Sequence, residues 1–109
     1  MLPSLASTVL GSMVEGILAV DSFQRVLLAN DASAKLLEFV NRNVVGRPLI
    51  EVCRQRAVRE AVDEALRLSE PYSAEFEMPG PLRRMLGLRA TRLPGNPSPG
   101  VVLGLHDLT

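Results

Sequence analysis

Three β-type segments in the last third of the chain constrain its fold more than any other feature. "YSAEFEM" (72–78) alternates apolar and polar residues, and after the turn "PGP" the long segment "LRRMLGLRATRL" (82–93) follows. The loop "PGNPSPG" leads into a last apolar segment (100–107) within "GVVLGLHDLT". Connections this short join antiparallel neighbours, because a parallel pair needs a crossover of a dozen or more residues. The sequence therefore predicts a three-stranded antiparallel meander.

The first half of the chain adds two more strands. "GILAV" (16–20) and "RVLLA" (25–29) flank "DSFQ", which is typical of a hairpin turn because Asp stands at its front. Asn30 and Asp31 favour the start of a short helix, since their side chains cap free backbone N–H groups. Two strands, a helical crossover and a meander together predict an α+β fold, with helices on one face of a five-stranded antiparallel sheet.

The clearest helix is "RQRAVREAVDEALRLSE" (54–70). Its apolar residues recur at helical spacing and form one face, namely Val58, Ala61, Val62, Ala65 and Leu66. Its charged residues predict three ion pairs one turn apart, Arg56–Glu60, Arg59–Asp63 and Asp63–Arg67. Pairs of this kind contribute only about 0.2–0.5 kcal/mol each, which indicates a solvated face and not a site.

The first thirteen residues predict a further helix, separate from the domain over 14–109. Its apolar stripe consists of Leu2, Leu5, Val9 and Met13. A helix of three turns is marginal alone in water, so it needs a partner. One interpretation packs it on its own domain, and the other pairs it with its copy in a second chain. We predict a dimerisation or linker helix.

Composition excludes several classes of protein. At 109 residues the chain is one domain, and its 12 Lys and Arg against 12 Asp and Glu leave no net charge. Nucleic-acid binding is therefore not expected, because its affinity comes mainly from neutralised phosphates. The longest uncharged stretch (2–14) is too short to cross a bilayer and follows no basic segment, so we expect neither direct membrane contact nor a signal peptide.

Residues that could carry catalysis are sparse. His106 is the one histidine and Cys53 the one cysteine, and no pair of residues has the spacing of a metal site. "GNPSPG" lacks the lysine and the following helix of a phosphate loop. We predict no catalytic residues and no bound metal. Cys53 is interpreted as a small buried apolar residue, with a redox role left open.

The ordered set of motifs resembles the PAS family. A strand ends in Asp21, Asn30 opens the next helix, Gly46 follows in "VVGRPL", and the chain closes on Asp107-Leu108-Thr109. The resemblance covers residues 12–109 and is nearest to PAS modules of bacterial sensor histidine kinases of the phosphate-responsive or nitrogen-regulatory type. It implies the strand order 2-1-5-4-3. The family often has Gly in the turn after Asp21, where this chain has Phe23-Gln24, so the turn is expected to differ in shape.

The resemblance also implies a function. It predicts a sensory, signal-transfer and dimerisation module of a two-component histidine kinase, located in the cytoplasm, with the longer protein membrane-anchored or not. The implied partners are a second copy and a C-terminal kinase or other output domain. Asp107-Leu108-Thr109 would mark the signal exit, with Asp107 near Arg83 or Arg84.

The alternative is a PAS sensor of a transcription regulator or other signalling protein that binds a small molecule or cofactor. Haem-binding relatives usually place a histidine on the long helix, where residues 54–69 contain none. Flavin photosensors carry an Asn-Cys-Arg motif, where this chain reads "VNRNVVG". We therefore expect no cofactor, and leave open a small apolar ligand between the sheet and the helices.

Overall fold

The computed structural model describes residues 15–68, 70–81 and 83–108. The predicted N-terminal helix with Leu2, Leu5, Val9 and Met13 lies outside the described residues, and so does Thr109. Sequence predictions for these positions therefore stay predictions.

The described chain forms five strands and three helices. In chain order they are β1 (Gly16–Asp21), β2 (Val26–Ala29), α1 (Asp31–Leu37), α2 (Leu49–Val52), α3 (Arg56–Leu68), β3 (Tyr72–Met78), β4 (Arg84–Arg92) and β5 (Gly100–Asp107). The strands make one antiparallel sheet in the order β2-β1-β5-β4-β3. The predicted α+β class, five strands and strand order are confirmed.

The core lies between one face of the sheet and the helices. The inward residues of the three middle strands are at most 2% exposed, namely Leu18, Val20, Leu86, Leu88, Ala90, Val101, Leu103 and Leu105. The long helix α3 packs against β3, β4 and β5 with its predicted apolar face, of which Leu66 alone is only partly buried. Phe76 faces the core, as its alternation predicts, but it is half-buried at the edge strand.

The exposed face of α3 differs from the prediction in its ion pairs. Arg56 Nε lies 2.8 Å from Glu60 Oε1, as expected. Arg67, however, pairs with Glu64 at 2.5 Å and not with Asp63. Glu64 and Asp63 lie three and four residues before Arg67 on the same helix surface. The free energies of exposed ion pairs differ by less than about 1 kcal/mol, so the spacing alone does not determine which of the two carboxylates pairs with Arg67.

The predicted Arg59–Asp63 pair is also wrong. Asp63 Oδ1 instead accepts a hydrogen bond from Gln24 Nε2 at 2.5 Å, because α3 lies against the turn that joins β1 to β2. A contact between distant parts of the chain has replaced a weak contact within one helix.

Asn30 ties the start of α1 to the start of β1. Its Oδ1 accepts from the backbone N–H of Ser33 at 2.8 Å, which caps the helix, and from that of Ile17 at 2.9 Å. Its Nδ2 donates to the carbonyl of Glu15 at 3.1 Å. One side chain thus satisfies three backbone groups in two elements, which explains the Asn at this place in the motif.

Asp21 and Gly46 shape the loops around β2. The Asp21 Oδ1 accepts from the backbone N–H groups of Phe23 and Arg25, each at 2.9 Å. Gly46 has a φ of 88°, where a side chain is strained, and its N–H donates to the Val26 carbonyl at 2.7 Å. Both motif residues therefore hold backbone geometry.

Cys53 belongs to the core and is 1% exposed at the end of α2. Its thiol lies 3.2 Å from Gln55 Oε1. Burial raises the pKa of this thiol above its ordinary value, and the opposing effects of Gln55 and Arg59 are smaller. A protonated buried thiol fits the interpretation as a small apolar residue, since the thiolate is the reactive form.

We expect Asn30→Ala to lower the free energy of unfolding by about 1–3 kcal/mol, because a cap and two further backbone bonds are lost. Urea denaturation checks this. Asn30→Asp keeps the acceptor and removes only the donor to Glu15, so it should lose less. Equal stability of wild type and Asn30→Ala would contradict the role of this side chain.

The raised pKa of Cys53 predicts a loss of stability at alkaline pH. The unfolded thiol has a pKa near its ordinary value of 9.0, whereas the folded thiol holds its proton to higher pH. Above the pKa of the unfolded thiol, ionisation therefore favours the unfolded state, and the free energy of unfolding falls by up to about 1.4 kcal/mol per pH unit. Urea denaturation between about pH 8 and 10 should show a steeper decline for wild type than for Cys53→Ala. Parallel declines would show that Cys53 does not cause the effect.

Candidate functional site at the outer face of the sheet and its strand ends

The two ends of the described chain meet at one end of the sheet. β1 and β5 are antiparallel neighbours in the middle of the sheet, and Gly16 of β1 lies opposite Leu105 of β5. Beyond the strand, the N–H of Leu108 donates to the Met85 carbonyl at 2.8 Å. The first and last described residues, Glu15 and Leu108, thus lie at the same end of the sheet.

The face of the sheet that points away from the helices is apolar over β1 and β2. Ile17 is 39% exposed and Leu28 is 54% exposed. Ala19 lies two residues after Ile17 on β1 and directly opposite Leu28 of β2. Val102 of β5 continues this surface beside Ala19. Exposed apolar surface of this kind on a sheet face is typical of a contact with another element or chain.

Over β3, β4 and β5 the same face is polar. His106, Gly87 and Glu75 lie opposite one another across the three strands, and Arg89 stands two residues after Gly87. A Cβ on Gly87 would lie 2.7 Å from His106 Nε2, so the imidazole ring lies directly over this glycine. These residues line a shallow groove of about 590 Å³. His106 is exposed near the end of β5.

The predicted signal exit lies on the last strand, with Asp107 and Leu108 exposed. The two arginines expected near Asp107 each lie close to another carboxylate as well. Arg84 NH2 lies 3.0 Å from Glu38 Oε2, beyond the end of α1, and Arg83 Nε lies 3.5 Å from Glu77 Oε1 of β3. Sequence reasoning missed these partners because they depend on the position of α1 and on the strand register.

A cleft of about 200 Å³ opens between the helices and the end of β3. It is lined by Leu37, Glu38, Val52, Arg54, Gln55, Met78 and Pro79. Ligand pockets usually have volumes of about 300–1,000 Å³, so this cleft is smaller than a typical ligand site.

Within residues 15–68, 70–81 and 83–108 no group of three or more His, Cys, Asp or Glu side chains is placed to hold a metal ion. In the same residues no helix has the length and apolar character needed to cross a membrane.

No protein-family model matches this chain, and no curated protein sequence matches it. Solved structures do match. The sensory box sensor histidine kinase from Vibrio cholerae has a TM-score of 0.70 at 17% identity, over 98% of this chain and 92% of that one.

Two further structures agree. The PAS domain of a protein from Colwellia psychrerythraea has a TM-score of 0.68 at 13% identity, over 100% of this chain and 98% of that one. The PAS domain of nitrogen regulation protein NR(II) from Vibrio parahaemolyticus has a TM-score of 0.63 at 18% identity, over 95% and 98%. This chain therefore has the PAS fold, and the structures it resembles include PAS domains of sensor histidine kinases.

Proposed function

We propose that this domain is a dimerising signal-transfer module of a bacterial two-component sensor histidine kinase, located in the cytoplasm and without catalytic activity of its own. The similar structures include PAS domains of sensor histidine kinases, which supports this context. The observation that carries the proposal is the position of residue 15 and residue 108 at the same end of the two central strands.

That position couples the core to both flanking segments. The inward side chains of β1 and β5 pack directly on the helices, whereas their backbone continues into the segments outside the sheet. A change in core packing that favours one of two arrangements would alter the direction in which the chain leaves β5. The output domain after the exit would then respond to that direction.

Dimerisation would use the apolar part of the outer sheet face. Ile17 and Leu28 are exposed there, and the predicted apolar stripe of residues 1–13 would add to the same interface. A second copy would cover surface that is otherwise in contact with water, and each buried square ångström of apolar area contributes about 25 cal/mol.

In this proposal signal transfer needs little or no ligand in the core, and the cleft between the helices and the end of β3, at about 200 Å³, is smaller than a typical ligand pocket. The proposed partners are a second copy of this chain and a C-terminal kinase or other output domain of the same longer protein.

Leu28→Glu is expected to shift the purified chain towards monomer. A carboxylate placed in an apolar interface loses hydration, which we expect to weaken dimerisation by roughly thirtyfold, or about 2 kcal/mol. Analytical ultracentrifugation measures this. Val40→Glu is the matched control, since Val40 is 77% exposed and lies outside the sheet.

Deletion of residues 1–13 tests the contribution of the N-terminal segment in the same assay. The truncated chain should also shift towards monomer. If both the Leu28→Glu protein and the truncated chain remain as dimeric as wild type, the interface lies elsewhere.

Asp107→Ala is expected to separate stability from signalling. Asp107 is exposed, so the free energy of unfolding of this domain should change by no more than about 0.5 kcal/mol. Autophosphorylation of the longer kinase should change by about fivefold or more, the lower end of common couplings between sites. Unchanged autophosphorylation would reduce "HDLT" to an ordinary strand end, and an unfolded domain would make Asp107 a stability residue.

A further inference from the structure

The turn between β1 and β2 contains a backbone conformation that its sequence does not favour. Gln24 has a φ of 61°, in the left-handed region that glycine adopts readily and longer side chains adopt rarely. This is the turn where Phe23-Gln24 replaces the glycine common in PAS domains. An outlier of this kind requires contacts that hold it, and it is a reason to look for a function nearby.

Contacts on three sides hold this turn. The Gln24 carbonyl accepts from the N–H of Leu49 at 2.7 Å, and its side chain donates to Asp63 of α3. The Asp21 carboxylate fixes the N–H groups of Phe23 and Arg25. Phe23 is nevertheless 82% exposed. A large aromatic ring is thus presented to solvent on a backbone with little freedom.

Phe23 forms one side of a groove of about 410 Å³. The turn, the segment at the start of α2 and the surface of α3 line it, and its residues include Phe23, Ile50, Arg59 and Asp63. Ile50 is 58% exposed, whereas Leu49 beside it is fully buried. Rigid aromatic and aliphatic side chains around a groove are the usual anchors of a protein contact, because little freedom is lost on binding.

The groove contains one guanidinium, that of Arg59, and it has no ion pair within the described residues. Arg59 Nε is buried without a hydrogen-bond partner among the described residues, because Gln24 has taken the carboxylate of Asp63. Asp63, the carboxylate that lines the groove, is hydrogen-bonded to the Gln24 amide and not to Arg59, so the Arg59 guanidinium can bind a carboxylate from another chain with strong, directional hydrogen bonds.

We propose that this groove docks a segment of a partner protein in which an apolar side chain stands next to a carboxylate. The apolar side chain would pack on Phe23 and Ile50, and the carboxylate would bind Arg59. The groove lies at the end of β1 opposite to residue 15 and on the helix side of the sheet, away from Leu28. It stays accessible whether or not the outer face forms a dimer, so this proposal is independent of the proposed function.

The test begins with selection of random twelve-residue peptides displayed on phage against the full 109-residue chain. The enriched peptides are expected to share Asp or Glu beside Leu, Ile or an aromatic residue. Fluorescence anisotropy then gives the Kd of the strongest synthetic peptide and of its Asp→Asn or Glu→Gln counterpart. On the wild-type chain the loss of the peptide carboxylate should weaken binding by about tenfold.

Variants of the chain locate the site. Phe23→Ser and Arg59→Gln should each weaken binding of the acidic peptide by about tenfold. The Arg59→Gln chain should bind the acidic peptide and its amide counterpart with the same Kd. Val40→Ser and Arg56→Gln are matched controls, since Val40 is exposed elsewhere and Arg56 is already paired with Glu60. They should change the Kd by less than about twofold. Circular dichroism confirms that each variant is folded.

Three results would overturn the proposal. They are a selection that enriches no peptide, enriched peptides without an acidic residue, and binding that survives both Phe23→Ser and Arg59→Gln. A failure of the dimer experiments would leave these outcomes unaffected, because they concern the other face of the sheet.

Discussion

The pairing of β1 with β5 is the contact on which the remainder of the structure depends. The hairpins β1–β2 and β3–β4 are local, and only β5 joins them into one sheet. The pairing requires a glycine at position 100, because a Cβ there would lie 2.0 Å from the Val20 carbonyl oxygen. Val101, Leu103 and Leu105 then close the core from the middle of the sheet. Of the strands in the described residues, β1 is the first and β5 the last, so the core depends on contacts between residues about 80 positions apart, and such non-local contacts slow folding.

Most of the fold could be predicted from the periodicity of apolar residues, and β3 and α3 show why. Tyr72, Ala74, Phe76 and Met78 point to one side because side chains alternate along a strand, and the structure buries them in part or fully. The apolar face of α3 follows in the same way from helical spacing. The long strand predicted over 82–93 is found at Arg84–Arg92, as close as a pattern can place a strand end. Burial of a whole face involves many residues at once, so small errors at single positions do not change it.

Among contacts between two residues, the pair Arg56–Glu60 within one helix was predicted correctly, whereas pairs that depend on tertiary position could not be predicted. Asp63 bonds Gln24 of a distant turn, and Arg84 bonds Glu38 beyond α1, although the sequence offered nearer or equally plausible partners. An exposed ion pair contributes about 0–1 kcal/mol, so the tertiary position of the elements decides which pair forms. The conformation of Gln24 is likewise determined by the tertiary position of the elements. The missing glycine indicated that the turn differs, but only the contacts with Leu49 and Asp63 determine how.

The PAS fold appears here at 13–18% identity to the solved structures compared above, with no match to a family model, so the buried pattern and not individual residues preserves it. Surface residues are then free to differ, and function has to be argued from them. β1 connects the two surfaces of interest, since its first residue adjoins the chain exit and its last residue, Asp21, holds the turn of the groove. A partner in the groove can influence the exit only if it binds one arrangement of β1 and β5 more tightly than another. The strained turn at Gln24 is where such a difference in free energy is most readily generated, because a small change there alters contacts to both α2 and α3.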